Sequence, residues 1–357
     1  MISASSSSIR LSESSEQSEK VSFGHSFDQS AFLACVLADV RAKKDLAFLS
    51  TDFIIYHAGE RLRLDKKLRA FVHSTELLKV VKSKKYDELI KFIRAKARNP
   101  YAIFQIPSLV AKRRELLSSA RLADVKSIDV LLDSHLSTKE RVPVYDEFFD
   151  LVFAKCADSR TELKTESKNE SMAILDLACG LNPIAFHSYY NSHCAHTGKK
   201  IVRDITRGKM SFDKITYLCN ELSDLDCQQL NVFFSRNKLS ASAVSFDLVR
   251  EFERLETEPF NTRFDICFLL KALDTLESQR LYVTYDILKR IDAALIVATF
   301  PIQSMSGKQM KRSAQIHWFE KMLPRLDMTF ERQELGNEVI YFCRRNKTSK
   351  QESKQDK

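Results

Sequence analysis

Four residues in the second half of the chain lie in or just after short apolar runs, where a site could form: Asp176, Gly180, Glu221 and Asp247. Gly180 follows the run AILDLA, and a residue without a Cβ lets the backbone approach a ligand closely. Glu221 and Asp247 follow later runs, where a carboxylate can accept hydrogen bonds from ribose hydroxyls or an adenine amino group. Asp176 is expected to brace the turn. The set predicts a nucleoside site, the alternative being a plain turn with ordinary acidic residues at strand ends.

The scarcity of glycine limits which nucleotides such a site could hold. The chain has 7 glycines in 357 residues, whereas about 7% is usual. It contains neither Gly-x-Gly nor Gly-x-x-x-x-Gly-Lys, the motifs with which dinucleotide-binding and P-loop proteins cradle phosphates. A nucleoside ligand without phosphates therefore remains the better candidate.

The second half of the chain, which contains these four residues, alternates between short apolar runs and amphipathic stretches. The runs cover residues 173–178, 214–219, 241–247, 264–270, 293–300, 326–333 and 337–344. Helices are predicted between them, for example over 223–237 and 277–290. The alternation predicts a doubly wound, mostly parallel α/β sheet, and the last two runs predict an antiparallel hairpin that turns at Gly336. Seven strands in this order are the layout of class I S-adenosylmethionine (SAM)-dependent methyltransferases, whose ligands bind at the carboxyl ends of the strands.

The positive charge of the chain is concentrated in one segment. Residues 60–126 contain 18 Lys and Arg against 7 Asp and Glu, a net charge of +11, whereas the whole chain carries +9. A helix is predicted within residues 75–100 and ends at Asn99-Pro100, and a second helix is predicted over 107–125. Such cations form either a solvated face or a phosphate-binding surface. In the second interpretation the RNA-binding residues are Lys84, Lys85, Lys91, Arg94, Arg98, Lys112, Arg113 and Arg114.

These patterns predict the domain organisation. Residues 1–20 and 346–357 are polar and are expected to be disordered tails. Between them we predict a basic, helical RNA-docking domain over 21–157, a linker over 158–171 and a methyltransferase domain over 172–345. Within the first domain, apolar residues from Phe32 to Val40 recur at helical spacing and predict a packed helix.

Apolar runs and cysteines indicate the compartment. No run reaches the length of about 18 residues that a membrane span needs. Eight cysteines without a Cys-x-x-Cys pair suit a reducing environment. We therefore expect a cytoplasmic monomer without membrane contact. His187, His193, Cys194 and His196 cluster but lack the second half of a structural zinc site, so no metal is expected.

Two motifs resemble those of a known family. HLSTKER at 135–141 and DLACGLNP at 176–183 resemble the His-x-Ser-Thr-x-Glu-Arg and Asp-x-x-Cys-Gly-x-Asn-Pro motifs of the aminoglycoside-resistance 16S-type rRNA (guanine-N7) methyltransferases. FLLKALDTLE, TFPIQSMSGKQM, HWFEKMLP and NEVIYFCR follow in the order of that family. The resemblance covers about residues 80–345.

The resemblance implies an enzyme that uses SAM to methylate N7 of a decoding-site guanine in the small ribosomal subunit, which gives aminoglycoside resistance. The cofactor-binding residues would be His135, Ser137, Thr138, Arg141, Asp176, Ala178, Gly180, Asn182, Glu221, Asp247 and Leu270. The target nucleotide would face Lys271, Pro301, Gln303 and Lys308, and the basic segment would dock on rRNA. Because guanine N7 keeps a free lone pair at neutral pH, positioning can supply most of the rate enhancement without a general base.

Three departures from the family pattern leave alternatives open. Glu221 stands where most relatives have aspartate, Gln303 stands where they tend to have arginine, and residues 191–214 are an insertion. One alternative is a methyltransferase that acts on another rRNA position or on tRNA. Another, from a different class, is a non-catalytic ribosome-binding or assembly protein on the same fold.

Overall fold

The computed structural model describes residues 28–98, 100–162, 171–196, 215–302 and 312–346. Its helices are α1 (Gln29–Arg41), α2 (Thr51–Leu64), α3 (Lys66–Ser74), α4 (Leu77–Val81), α5 (Lys84–Arg98), α6 (Val110–Ser119), α7 (Val125–Asp133), α8 (Leu136–Arg141), α9 (Tyr145–Glu162), α10 (Asn182–His196), α11 (Asp224–Arg236), α12 (Leu273–Gln279), α13 (Val283–Arg290) and α14 (Arg312–Met322). Its strands are β1 (Met172–Leu177), β2 (Ile215–Glu221), β3 (Ala241–Ser245), β4 (Phe264–Leu270), β5 (Ala293–Pro301), β6 (Met328–Leu335) and β7 (Glu338–Arg345).

The strands form one sheet in the order β3-β2-β1-β4-β5-β7-β6. Strands β1 to β5 pair in parallel, and β7 pairs antiparallel with both β5 and β6. The β6–β7 hairpin turns at Gly336, whose φ of +56° is accessible to glycine without strain. The predicted fold class is thus confirmed. Because the strand order reverses between β1 and β4, a crevice opens at their carboxyl ends.

Two regions of the helical half pack in different ways. Helices α1 to α5 enclose their own apolar cluster, to which Phe32, Val36 and Val40 belong, so the predicted first helix is confirmed. Leu117 of α6 and Phe149 of α9, in contrast, share a cluster with Ile174 of the sheet. The predicted helical domain over 21–157 therefore contains two packing units, since periodicity shows that a face is apolar but not which surface covers it.

Three predicted boundaries differ from the observed ones. Helix α9 extends through Glu162 into the predicted linker. The basic helix predicted over 107–125 is the shorter α6. The helix predicted over 277–290 is divided into α12 and α13, because Tyr282 adopts φ +64° and the Glu277 carboxylate accepts the backbone N–H groups of Tyr282 and Thr284.

Several predictions lie outside the described residues. These are the tail over 1–20, residues 163–170 of the linker, residues 197–214 of the insertion, Gln303, Lys308 and almost all of the tail over 346–357. Among the helices that the structure does describe, none combines the length and apolar composition needed to cross a membrane.

Candidate active site

A cleft lies at the carboxyl ends of the central strands and encloses about 910 Å³, including its solvent-filled mouth. Eight of the predicted cofactor-binding and target-facing residues line it: His135, Ser137, Ala178, Gly180, Glu221, Asp247, Leu270 and Lys271. Its opposite wall comes from the helical half, with Tyr101, Phe104 and Arg113 among the lining residues. The cleft is therefore built by both halves of the chain.

Gly180 provides space for a protein side chain at the floor of the cleft. Its φ is +55°, and a Cβ placed on it would lie 2.8 Å from Cε1 of His135. The His135 ring stacks on Phe104, and its Nδ1 lies 3.1 Å from the Ser137 hydroxyl. Burial, followed by the cations Arg113 and Arg141, lowers the pKa of His135 to about 3, so its imidazole is neutral at pH 7. The close approach predicted at Gly180 is thus made by a side chain of the HLSTKER motif.

Glu221 ends β2 and closes the turn after β1. Its Oε1 accepts the Gly180 N–H and its Oε2 accepts the Leu222 N–H, both at 2.9 Å. Burial raises the pKa of Glu221 to about 7, although the Gly180 N–H stabilises the ionised form. Each carboxylate oxygen retains a lone pair that a ligand hydroxyl could engage.

Asp247 follows β3 at the other end of the same edge. Its Oδ1 accepts the Val249 N–H at 2.9 Å, and burial raises its pKa. Phe246, Leu248 and Leu276 line the cleft around it. A carboxylate between apolar faces suits a flat base that bears an amino group.

Asp176 braces the turn from inside the sheet, as predicted. Its Oδ2 accepts hydrogen bonds from Asn182 Nδ2 at 2.9 Å and from the Tyr217 hydroxyl at 2.7 Å. Burial raises the pKa of Asp176 to about 7, against both hydrogen bonds. Neither Asp176 nor Asn182 lines the cleft, so in this structure they support the turn rather than the ligand wall.

A buried ion network closes the end of the cleft at β4 and β7. Arg141 binds the Glu338 carboxylate through Nε and Nη2, at 3.0 and 2.9 Å. Lys271 Nζ lies 2.6 Å from Glu140 and 3.1 Å from Glu338. Because Glu338 holds its guanidinium, Arg141 does not line the cleft as the resemblance implied, and neither does the buried Thr138. Pro301 lies half-buried at the end of β5.

The predicted RNA-binding residues differ in how far they are exposed to solvent. Lys84, Lys85, Lys91, Arg98, Lys112 and Arg114 are exposed. Arg94 is half-buried and donates to the Asp39 carbonyl. Arg113 is not on this surface, because the turn of α6 that carries it faces the cleft and leaves it 2% exposed. A count of charges along the sequence does not show that Arg113 is buried while Lys112 and Arg114 are exposed.

The wall from the helical half is formed by residues to which the sequence analysis gave no role in the cleft. The Tyr101 hydroxyl donates to Asp226 Oδ2 at 2.6 Å, which joins the segment after α5 to α11. Arg113 donates to Gln105, and Gln105 forms an isolated β-bridge with His135. No motif marks these residues, since they meet the cleft only through the packing of the helices.

The chemistry of the cleft suits SAM. Carboxylates at the ends of β2 and just after β3 can accept hydrogen bonds from a ribose and an adenine amino group, and apolar side chains line the space around the base. The turn at Gly180 contributes Ala178, Gly180 and Leu181 to the lining. Among the described residues, no group of three or more potential metal ligands occurs.

Comparisons with known proteins agree with these features. No family model matches the chain. A 16S rRNA (guanine(1405)-N(7))-methyltransferase of Frankia casuarinae is 28% identical over 220 residues, which cover 59% of this chain and 61% of that protein, less than two thirds of its length. A protein of the same name from Micromonospora rosea is 27% identical over 241 residues, 66% of this chain and 73% of that protein.

Solved structures show the fold. The 16S rRNA methyltransferase RmtF in complex with S-adenosyl-L-homocysteine has a TM-score of 0.56 at 21% identity, over 90% of this chain and 100% of that chain. An rRNA methylase from Escherichia coli has a TM-score of 0.56 at 17% identity, over 88% of this chain and 100% of that chain. This chain has the class I SAM-dependent methyltransferase fold and is similar in sequence to the 16S rRNA (guanine-N7)-methyltransferases, the family that its two motifs resemble.

Proposed function

We propose that this protein is a SAM-dependent methyltransferase that modifies N7 of a guanine in 16S-type rRNA within the small ribosomal subunit. The observation that carries the proposal is the cleft, in which His135 of the HLSTKER motif packs on Gly180 of the DLACGLNP motif and which Glu221 and Lys271 also line. The relatives from Frankia and Micromonospora bear the name of this activity. The proposal includes a cytoplasmic monomer whose exposed cations on α5 and α6 contact rRNA.

The residues of the cleft would act by positioning. Bound SAM supplies an electrophilic methyl group on a sulfonium. Glu221 would hold the ribose and Asp247 the adenine amino group, while the apolar lining excludes water. Because guanine N7 needs no deprotonation, a neutral His135 is consistent with a structural role in the turn.

The Lys271 network would face the target base. Lys271 is 8% exposed, and its ammonium is held between Glu140 and Glu338. An ammonium fixed in a low-dielectric cleft can interact with guanine O6 without reorganising. Lys271 would therefore orient the base rather than exchange a proton with it.

The test is methyl transfer from labelled SAM to purified small subunits, to free 16S-type rRNA and to tRNA. The modified nucleotide is mapped by strand scission specific for N7-methylguanine. We expect a single modified guanine in the decoding-site rRNA. Glu221→Ala should abolish transfer, whereas Glu253→Gln, an exposed carboxylate beyond β3, should match the wild type.

The rival functions give different outcomes. Label in tRNA or at another rRNA position would retain the enzyme and replace the target. Absence of label, together with absence of SAM binding by calorimetry, would overturn the proposal in favour of a non-catalytic ribosome-binding protein. Drug resistance is tested separately, by aminoglycoside susceptibility of cells that express the chain.

A further inference from the structure

Arg113 is a buried cation at the acidic end of the cleft. Its side chain is 2% exposed, and Nη2 lies 3.8 Å from Asp226 Oδ1. Glu221 and Asp247 line the same cleft. Three carboxylates therefore line the cleft together with one guanidinium, which lies close to Asp226 and interacts electrostatically with Glu221.

The hydrogen-bonding capacity of Arg113 is largely unused in the described part of the protein. A guanidinium has five N–H donors, and within the described residues this side chain donates through Nη2 to Gln105 Oε1. Asp226 Oδ1 is buried and likewise has no hydrogen bond. Because buried charged groups normally have their hydrogen bonds satisfied, donors that face a cleft point to a ligand that accepts them.

The position of Arg113 selects the part of the ligand. Glu221 ends β2, and Asp226 lies in the first turn of α11, just after it. This is where a doubly wound fold holds the ribose of a bound nucleoside. Each ribose hydroxyl can donate one hydrogen bond and accept others. The Glu221 carboxylate can accept hydrogen bonds from the ribose hydroxyls. The oxygen lone pairs of those hydroxyls then remain available to a donor on the facing wall of the cleft.

We propose that Arg113 is a cofactor-binding residue that donates hydrogen bonds to the ribose oxygens of SAM, opposite Glu221, and does not contact rRNA. The inference rests on the proposed use of SAM and adds a residue from the helical half to the binding site. Helix α6 thereby joins the segment that carries the exposed cations Lys112 and Arg114 to the cofactor cleft. The same cation also counteracts the burial that raises the pKa of Glu221.

The experiment is calorimetry of S-adenosylhomocysteine and of its 2′-deoxy and 3′-deoxy analogues with wild-type and variant chains. Loss of a charge-assisted hydrogen bond predicts that Arg113→Met binds S-adenosylhomocysteine about tenfold to a hundredfold more weakly. The wild type should prefer the full ribose over at least one deoxy analogue, and Arg113→Met should lose most of that preference. Arg113→Lys, which keeps the charge without the planar fork, should fall between them.

A contrasting variant is available at the next position. Arg114 is exposed with its guanidinium 5.7 Å from the Phe48 ring centroid. Arg114→Met removes the same charge from the same helix and should weaken binding to small subunits while leaving S-adenosylhomocysteine affinity at the wild-type value. Arg113→Met should show the reverse pattern.

Four results separate the possibilities. Wild-type affinity in an Arg113→Met chain that melts normally would overturn the ribose contact and leave the proposed function standing. If Arg113→Met binds S-adenosylhomocysteine more weakly but keeps the wild-type preference for the full ribose, Arg113 contributes only to packing. This result would also overturn the ribose contact. If Arg113→Met does not fold, Arg113→Lys takes its place, and a wild-type ribose preference in Arg113→Lys would overturn the ribose contact. A wild-type chain that binds no S-adenosylhomocysteine would refute the proposed function itself.

Discussion

Arg141 of α8 and Glu338 of β7 form a two-point ion pair, with Nε–Oε1 and Nη2–Oε2 distances of 3.0 and 2.9 Å. Lys271 shares the same carboxylate. Burial opposes the ionisation of Glu338, but the two cations lower its pKa below the ordinary value. One carboxylate at the start of the last strand thus fixes two cations from distant parts of the sequence.

Glu338→Gln should therefore destabilise the protein strongly. Removing one partner of a buried ion pair leaves an uncompensated charge and costs about 3–5 kcal/mol of unfolding free energy, measured by urea denaturation. Glu331→Gln on the same hairpin is the control, because its ion pairs with Lys155 and Arg344 are partly exposed and should each contribute less than about 1 kcal/mol. Equal effects of the two substitutions would show that the Glu338 network does not stabilise the fold.

Gly180→Ala should lose both stability and SAM affinity. A left-handed backbone at a residue with a Cβ costs about 1–2 kcal/mol, and the new Cβ would also collide with His135. In a His135→Ala background the collision is absent, so the substitution should cost only the backbone strain. Urea unfolding of the four chains gives the coupling between the two positions. Strict additivity would mean that the two residues do not compete for the same space.

Asp176→Asn should stabilise the protein, and more so at high pH. The pKa of Asp176 is about 7 in the folded chain, against about 3.9 in an unfolded chain. Between these values the folded state binds more protons, so stability falls as pH rises, and the penalty is fully present above pH 7. We expect a gain on the order of 1–4 kcal/mol at pH 8 that shrinks toward pH 5. Urea denaturation at both pH values tests this, and a gain that grows toward pH 5 would contradict it.

SAM affinity should rise with pH through neutrality. The pKa of Glu221 is about 7, so at pH 6 this carboxyl is largely protonated and at pH 8 it is ionised and accepts from hydroxyls more strongly. Calorimetry should give a severalfold higher Kd at pH 6 than at pH 8. Glu221→Gln should bind more weakly at pH 8 and show little pH dependence. A steep pH dependence retained by Glu221→Gln would assign the titration to another group.

Lys84 and Lys91 should contribute to ribosome binding through phosphates. Both are exposed on α5, two helical turns apart on one face. Replacing both by Gln should weaken small-subunit binding and reduce the slope of log affinity against log salt by about 1 per lost contact. Arg263→Gln, an exposed cation just before β4, is the control and should leave the slope unchanged. An unchanged slope in the double variant would remove these lysines from the interface.

The sequence predicted the sheet and one edge of the cleft because local patterns encode them. Alternating apolar runs located the strands that carry Glu221, and a glycine before Asn-Pro marked the turn at Gly180. The predicted helix boundaries were less accurate where a hydrogen bond from a single side chain ends or interrupts a helix. Glu277 interrupts a continuous helical pattern by accepting two backbone N–H groups, and no periodicity reports such a contact.

Local sequence patterns account for the order of strands and helices, the glycine turn, the carboxylates that end β2 and follow β3, and the basic character of α5 and α6. Which cation faces which partner depends on long-range packing. Arg113 and Arg114 are adjacent and chemically identical, yet consecutive helix positions are about 100° apart. One side chain is therefore buried in the cleft and the other is exposed. In the same way Arg141 is held by Glu338, 197 residues away, because long-range packing, not local pattern, brings opposite charges together.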